Sequence, residues 1–149
     1  MTENWTKTRS KVKDFIESEI YPIEAKLAQQ NKESAELLTS VMNLAKEEKI
    51  WALGHPKDIG GGGMPFMEYV YINEVVGRSS FAMVALGTHS LQDSIMLREY
   101  ASEKWKEKYL EPLVQGEIFP SFGMTEPEVA SSDPTQLQTS ALLENGKWK

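Results

Sequence analysis

The chain changes character at residues 122–133, which read Phe-Gly-Met-Thr-Glu-Pro-Glu-Val-Ala-Ser-Ser-Asp. Apolar residues recur at helical spacing before this stretch, and an alternating segment with a tight-turn signal follows it. Proline has no backbone N–H and pushes the preceding residue to extended geometry. We therefore expect a short strand over residues 122–125, with Phe122 and Met124 on one face, to break into a loop at Glu126 and Pro127.

The loop after this strand is rich in groups that can hold a ligand. Thr125, Ser131 and Ser132 supply hydroxyls, and the turn leaves backbone N–H groups free. Such an arrangement can hold a polar heterocycle or a phosphate. A polar turn between two strands is the other interpretation, and the residues alone leave both open.

Residues 122–133 resemble the strand-to-loop element of the acyl-CoA dehydrogenase family, in which an aromatic-x-hydrophobic-Thr-Glu-Pro run precedes small residues and Ser-Asp. Their Glu-Pro-x-Val-Ala-Ser-Ser-Asp form is most similar to the long-chain, multidomain branch. The similarity extends back through most of the chain. It implies a mainly α fold, with the up-down helical bundle of the family's N-terminal domain over residues 1–120. Residues 121–149 would then be the incomplete beginning of the β-barrel-like middle domain.

The composition excludes several classes of protein. A net charge of −6 over 149 residues, with a sequence pI near 5.0, argues against nucleic-acid binding. The chain has no cysteine, which rules out disulfides, thiolate metal sites and a cysteine nucleophile. Neither a secretory signal nor an apolar run of about 18 residues is visible. We expect an intracellular soluble protein, without distinguishing mitochondrial, peroxisomal and bacterial cytoplasmic locations.

Apolar residues at helical spacing predict two helices in the first third of the chain. The stripe of the first helix consists of Val12, Phe15, Ile16, Ile20 and Ile23. Pro22 should end or kink this helix. Ser34 is the candidate cap of the second helix. The stripe of that helix consists of Leu37, Leu38, Val41, Met42 and Ala45.

Further helices are predicted on both sides of an apolar segment. After Pro65, which suits a first helical turn, the stripe consists of Met67, Val70, Tyr71 and Val75. Glu74 falls on this stripe, and we expect it at the edge with Arg78 as its partner. Residues 81–86 have no polar face and belong inside the bundle. Ser102 can cap a last helix that ends at Gly116 and carries Trp105, Tyr109 and Leu113.

Two features invite a functional interpretation that the residues do not support. Gly60 to Gly63 suggest a phosphate loop, but no Gly-Lys-Ser/Thr follows, so we interpret them as a flexible connection. His55 and His89 are the only histidines and are too few for a histidine metal site. No metal is expected, and His89 is predicted to be a hydrogen-bonded helix residue.

The end of the chain reads as the start of a sheet. Residues 135–143 alternate between the two faces of a strand, and Asn145 with Gly146 is a strong hairpin signal. The return strand begins at Trp148. Because a lone pair of strands is marginal in water, we expect that Lys149 is not a natural domain boundary. The chain would be a fragment, or another polypeptide would supply the missing strands.

The resemblance implies the α,β-dehydrogenation of an acyl-CoA thioester in fatty acid β-oxidation, with hydride transfer to FAD. In the family, the Met124 and Thr125 positions face the pyrimidine end of the flavin. Ser132 would contact the flavin or the pantetheine arm of CoA, and the His89 region lies near the substrate channel. The resemblance therefore implies these cofactor-binding residues: Phe122, Gly123, Met124, Thr125, Glu126, Pro127, Ala130, Ser131 and Ser132. Ser132 and His89 are the candidate substrate-binding residues.

The resemblance also implies what the chain lacks. The family's Trp-Ile-Thr run and its catalytic glutamate would lie beyond Lys149, and Glu126 and Glu128 occupy structural positions of the motif. No catalytic residue is therefore assigned. The implied partners are the acyl-CoA substrate, an electron-transfer flavoprotein or similar acceptor for a full enzyme, and a homo-oligomer or complementing chain. The alternatives are a non-catalytic helical binding or assembly module, or a flavin oxidase or monooxygenase on the same fold.

Overall fold

The computed structural model describes residues 4–130 and 133–149, and it begins with one long helical run. This run contains helix α1 (Asn4–Phe15), a π turn (Ile16–Ile20), a 3₁₀ turn (Tyr21–Ile23) and helix α2 (Glu24–Leu27). Pro22 lies in the 3₁₀ turn, so the helix changes type there and continues instead of ending. A proline in the first turn of a new helical segment removes no hydrogen bond that the segment needs.

Helix α3 (Lys32–Glu47) begins with a capping box. The side chain of Asn31 accepts a hydrogen bond of 2.9 Å from the backbone N–H of Ser34, and the Ser34 hydroxyl accepts one from the N–H of Asn31. The predicted cap at Ser34 is therefore three residues too late: Asn31 is the cap and Ser34 is its reciprocal partner. The Ser34 hydroxyl also donates to the carbonyl of Lys26, which joins α3 to the end of α2.

The remaining helices are shorter. They are α4 (Phe66–Val76), α5 (Ala82–Ala85), α6 (Leu91–Tyr100), α7 (Glu103–Trp105) and α8 (Glu111–Gln115). A π turn (Lys106–Leu110) joins α7 to α8, and 3₁₀ turns occupy Lys57–Ile59, Thr88–Ser90 and Pro134–Gln136. The prediction of a mainly α chain is confirmed. In the described part of the chain, no helix has the length and apolar character needed to cross a membrane.

One hydrophobic core holds the helices together. α1 packs against α4, and α3 packs against α5. The predicted stripe of the first helix is buried from Val12 to Ile20. The buried residues of this core are Val12, Phe15, Ile16, Ile20, Val41, Ala45, Ile50, Ile72, Val75, Val76, Ala82, Ala85 and Leu86.

The predicted stripe of α4 is wrong except at Val75. Met67, Val70 and Tyr71 are exposed, whereas Tyr69, Ile72 and Val76 are buried. Apolar residues occupy more than one face of this helix, so the packing of α1 selects the buried face, and periodicity alone does not. Glu74 lies at the edge as predicted and pairs with Arg78 and with Arg9 of α1.

The glycines at 60–63 form a packed turn and not the flexible connection that was predicted. Gly62 donates to the carbonyl of Ala52, and Gly63 donates to the carbonyl of His55 over 2.8 Å. A Cβ added at Gly61 would lie 2.3 Å from the carbonyl oxygen of His55. Glycine is required here because the backbone passes so close to its neighbours.

The C-terminal part contains one two-stranded sheet, β1 (Leu143–Glu144) with β2 (Lys147–Trp148). Asn145 and Gly146 have φ values of 50° and 75°, as a type I′ hairpin requires, so the predicted turn is confirmed. The strand predicted over 122–125 is absent, and residues 135–141 of the strand predicted over 135–143 have no ladder partner among the described residues. Only the end of that segment pairs: Leu143 lies in β1, and Leu142 exchanges two backbone hydrogen bonds with Lys149. Alternation identifies two faces, but a strand also needs a neighbouring backbone.

Candidate substrate and cofactor site

An open groove lies between α4 and the stretch that runs from α5 into the first turns of α6. Its volume is about 510 Å³. Its walls combine apolar and uncharged polar side chains, so it can accept a largely apolar chain and fix its orientation. The lining residues are Phe66, Tyr69, Asn73, Met83, Thr88, His89, Leu91, Gln92 and Ile95.

His89 stands in this groove, in the 3₁₀ turn before α6. Its Nδ1 lies 3.4 Å from the carbonyl oxygen of Met83, which is a long hydrogen bond. Burial lowers the pKa of the His89 imidazole, which favours the neutral ring at physiological pH. Its Nε2 is buried and has no hydrogen-bond partner among the described residues. The side chain is therefore a neutral polar group within a largely apolar wall.

Tyr69 forms the opposite wall and stays protonated. Burial raises the pKa of its phenol, and the hydroxyl is 3.5 Å from Oδ1 of Asn73, one turn further along α4. The ring also covers Gly54, where an added Cβ would lie 2.8 Å from it. This glycine allows the Tyr69 ring to pack flat against the loop after α3.

A second histidine supports the groove from behind. His55 is fully buried, and its Nε2 lies 3.1 Å from the hydroxyl of Ser90. Burial, with a smaller contribution from the charge of His89, lowers the pKa of His55 to about 4. The imidazole is therefore neutral and holds the turn that carries His89. Sequence patterns did not identify His55 as buried, because no periodicity marks a loop residue; the close-packed glycine turn beside it is the only local signal.

The segment after α8 leads from the groove to the predicted cofactor loop. The rings of Phe119 and His89 have centroids 5.4 Å apart, so the chain passes the groove wall three residues before Phe122. The lining of the groove includes His89 but none of residues 122–130. The structure therefore brings His89 beside the approach to the loop and not beside the loop residues themselves.

The predicted cofactor residues lie in an exposed, irregular segment. Phe122, Gly123, Met124, Thr125, Pro127 and Ala130 are exposed, and Glu126 is half-buried. Ser131 and Ser132 lie outside the described residues. No described residue forms a hydrogen bond with the backbone of Met124 or Thr125 or with the Thr125 hydroxyl. Backbone and hydroxyl groups on adjacent residues are the kind of donors and acceptors that the polar edge of a flavin would need, and their role toward a flavin stays a prediction.

Glu126 is the residue of this segment with the most defined contacts. Its two carboxylate oxygens accept hydrogen bonds from the backbone N–H groups of Gln138 and Thr139, over 2.9 Å and 2.8 Å. Hydrogen bonds from Thr139 and Gln138 lower the pKa of the Glu126 carboxyl. Within the described residues, no group of three or more His, Asp and Glu side chains is placed to hold a metal ion.

The chain is similar to one family of known proteins over most of its length. Residues 2–117 match the family model described as "Acyl-CoA dehydrogenase, N-terminal domain". The chain is 34% identical to acyl-CoA dehydrogenase family member 10 of Mus musculus over 89% of its own length and 14% of that protein. It is 30% identical to the short-chain specific acyl-CoA dehydrogenase of Clostridium acetobutylicum, over 99% of its own length and 38% of that protein.

A solved structure shares the fold. It is a protein from Mycobacterium abscessus that is assigned as an acyl-CoA dehydrogenase, with a TM-score of 0.83 and 32% identity over 97% of this chain. The chain spans 39% of that structure, and it likewise spans well under half the length of the two relatives above. The family match covers the helices from α1 to α8 and the groove between them. The chain therefore belongs to the acyl-CoA dehydrogenase family, and residues 2–117 correspond to its N-terminal domain.

Proposed function

We propose that this chain is the N-terminal portion of an FAD-dependent enzyme that dehydrogenates an acyl-CoA thioester between its α and β carbons. The observation that carries the proposal is the passage of one chain segment past His89 of the groove, at Phe119, into a loop where no described residue hydrogen-bonds to the backbone of Met124 or Thr125. A dehydrogenase of this kind needs its acyl chain and its flavin side by side. In this proposal the groove binds the acyl chain and the loop after Phe119 faces the flavin.

The groove is the proposed site for the acyl chain. Phe66, Met83, Leu91 and Ile95 give it apolar walls, and Asn73, Thr88 and Gln92 add uncharged polar groups. Among the described residues that line it there is no Lys, Arg, Asp or Glu, so an acyl chain enters without leaving one of these ionised side chains unpaired. The His89 imidazole is also uncharged. It is the groove residue that we propose contacts the substrate.

The segment from Phe122 to Pro127, with Ala130, Ser131 and Ser132, is the proposed flavin-facing loop. FAD, when bound, would supply the hydride acceptor. The backbone groups of Met124 and Thr125 and the Thr125 hydroxyl would bind the polar edge of the ring. Ser132, which lies outside the described residues, would contact the flavin or the pantetheine arm of CoA. These residues bind and orient, and none of them needs to exchange a proton with substrate.

The base that removes the α-proton is not one of the loop carboxylates. Both oxygens of Glu126 already accept hydrogen bonds, and a lowered pKa makes this carboxylate a poor proton acceptor. Glu128 is exposed and is not part of the groove lining. We place the base, and the remaining walls of the pocket, outside these 149 residues. The proposed electron acceptor of the full enzyme is an electron-transfer flavoprotein or a similar protein. The proposed protein partner is a second copy of the chain, in a homo-oligomer, or a complementing chain.

A helical binding or assembly module is the second candidate, and exposed apolar side chains favour it. Phe66 is 74% exposed, Tyr100 is 86% exposed and Trp148 is 71% exposed, and aromatic side chains are enriched where proteins bind one another. A module would bind another polypeptide through these residues and would not require an acyl-CoA. A flavin oxidase or monooxygenase would share the loop and differ in its substrate.

The experiment that tests the function is a titration of the isotope-labelled chain with acyl-CoAs of several lengths and with free CoA, followed by amide NMR shifts. We expect Thr88, His89 and Gln92 to shift with acyl-CoA and not with free CoA. Met83→Trp should abolish these shifts by filling the groove, whereas Val70→Trp, at an exposed position outside the groove lining, should preserve them. Equal shifts with free CoA, or none at all, would contradict the proposal. Added FAD should bind this chain weakly or not at all.

A further inference from the structure

The carboxylate of Glu126 joins two segments that are otherwise separate. Oε2 accepts from the backbone N–H of Gln138 at 2.9 Å, and Oε1 accepts from that of Thr139 at 2.8 Å. The donors lie 12 and 13 positions further along the chain. We call this pair of bonds the Glu126 bridge. It connects the residue that follows Thr125 to the segment that leads into the hairpin.

The Glu126 bridge requires a specific backbone geometry at Gln138 and Thr139. In a regular strand, the N–H groups of neighbouring residues point in opposite directions, toward different neighbouring strands. The N–H groups of Gln138 and Thr139 instead converge on one carboxylate, as successive N–H groups do in an anion-binding backbone concavity. This geometry explains why the alternating sequence around Gln138 forms no strand, although its pattern predicts one.

The neighbouring acidic residues do not share this arrangement. Asp133 accepts from the backbone and hydroxyl of Thr135 and from the side chain of Gln136, so it caps its own 3₁₀ turn. Glu128 is exposed, and no described residue donates a hydrogen bond to it. Of the three acidic residues between positions 126 and 133, Glu126 alone connects segments that are distant in sequence.

We propose that Glu126 is a positioning residue whose ionised carboxylate fixes the orientation of Met124 and Thr125 by holding residues 138 and 139 beside them. The proposal rests on the assignment of that loop to the flavin. Hydrogen bonds from backbone N–H groups to an ionised carboxylate are shorter and stronger than neutral ones. Thr125 precedes Glu126 directly, so its backbone groups are restrained by the same two bonds. The Glu126 carboxylate, whose two oxygens are held by the backbone of residues 138 and 139, orients the binding groups of the loop without itself contacting the ligand.

The test observes the bridge without any ligand. In the labelled chain, the amide protons of Gln138 and Thr139 should titrate together, with one midpoint below the ordinary glutamate pKa. Glu126→Gln should abolish this titration and should lower the backbone order parameters of Met124 and Thr125. Glu128→Gln, which removes the same charge two residues away, should leave both observations as in the parent chain.

Two results would overturn the proposal. One is the absence of a shared titration of the two amides in the parent chain. The other is an unchanged order parameter at Thr125 in Glu126→Gln, which would show that the bridge exists and does not orient the loop. Neither result depends on acyl-CoA or FAD. Failure of the proposed function would instead appear in the acyl-CoA titration, so the two failures are distinguishable.

Discussion

Trp51 donates a hydrogen bond of 2.9 Å from its indole Nε1 to the backbone carbonyl of Val114. The bond joins the loop after α3 to the end of α8, 63 positions further along the chain. The same ring lies against Gly87 and Gly116, both of which have positive φ. Trp51 is therefore the point at which the ends of α5 and α8 meet the loop, and the groove depends on it because Thr88 and His89 follow Gly87 directly.

Gly87→Ala should destabilise the fold strongly. Gly87 has a φ of +68°, and an added Cβ would lie 2.7 Å from the Trp51 ring. A left-handed conformation costs an ordinary residue about 1–2 kcal/mol, and overpacking costs about 1–3 kcal/mol more, so we expect a total of about 2–5 kcal/mol. Urea unfolding measures this loss. Gly77→Ala is the control, because Gly77 has a φ of −66° and its nearest neighbour would be 3.4 Å away; it should change stability little.

Burial of His55 should make stability depend on pH. Its pKa falls from 6.5 to about 4 on folding, so the unfolded chain binds the proton first as the pH is lowered. The contribution is fully present above pH 6.5 and is lost as the pH falls towards 4. We expect a loss of about 2 kcal/mol between roughly pH 7 and pH 5 from this residue.

The His55 contribution can be separated from that of the carboxylates by a difference measurement. Asp58 and Glu74 also have lowered pKa values, because Arg98 and Arg78 donate hydrogen bonds to them, and their contributions are lost at lower pH as well. Urea unfolding of the parent chain and of His55→Gln at both pH values isolates the histidine. An equal pH dependence in the two proteins would show that His55 is not the cause.

Asn31→Ala should destabilise α3 by about 0.5–2 kcal/mol. The mutation removes the side-chain oxygen of residue 31, so the backbone N–H of Ser34 in the first turn of α3 loses its hydrogen-bond acceptor. Thermal or urea unfolding measures the effect. Lys32→Ala is the neighbouring control: its side chain is 92% exposed and makes only a long ion pair with Glu36, so its removal should be nearly neutral. A similar loss in both variants would argue against the capping box.

Met83→Ala should shift the chain-length preference of the groove. Met83 is 45% exposed and lines the groove, so a smaller side chain lengthens the apolar wall without opening the core. We expect the affinity for the longest acyl-CoA to rise relative to that for the shortest, by up to about tenfold for about 1.4 kcal/mol of added apolar contact. Calorimetric titration with a short and a long acyl-CoA measures the ratio. An unchanged ratio would place the acyl chain elsewhere.

Local signals in the sequence predict the elements that depend on local conformation. Asn145 with Gly146 predicts its turn because both residues must take positive φ, and the structure has both. Gly116 ends its helix in the left-handed region for the same reason. The mainly α character follows from long stretches of helical periodicity, and the pairing of Glu74 with Arg78 follows from their spacing of four residues.

Helical register is not predictable in the same way, because π turns interrupt it. Trp105, Tyr109 and Leu113 are spaced as one α-helical stripe, yet Trp105 is 57% exposed while Leu110, Leu113 and Val114 are buried. The π turn Lys106–Leu110 adds a residue to one turn and rotates the following residues away from the expected face. No residue type marks such a turn, since its stability comes from packing.

The candidate site shows the same difference between local signals and tertiary contacts. The resemblance could nominate His89 and the loop from Phe122 onward, because those assignments need only a motif. The groove partners Asn73 and Gln92 come from different helices, and His55 reaches Ser90 across 35 positions, so only tertiary structure brings these residues together. The roles of the loop residues toward a flavin stay predictions.

The Glu126 bridge and the hairpin both close short stretches of chain, and this has a kinetic consequence. A loop of about 10 residues closes in about 10–100 ns and a hairpin forms in about 1–10 μs, whereas contacts between distant positions form later because more chain entropy must be lost first. The Trp51–Val114 bond belongs to the slow class, and the bonds of Glu126 to the fast one. The contacts of the loop proposed to face the flavin can therefore form before the helices have finished assembling.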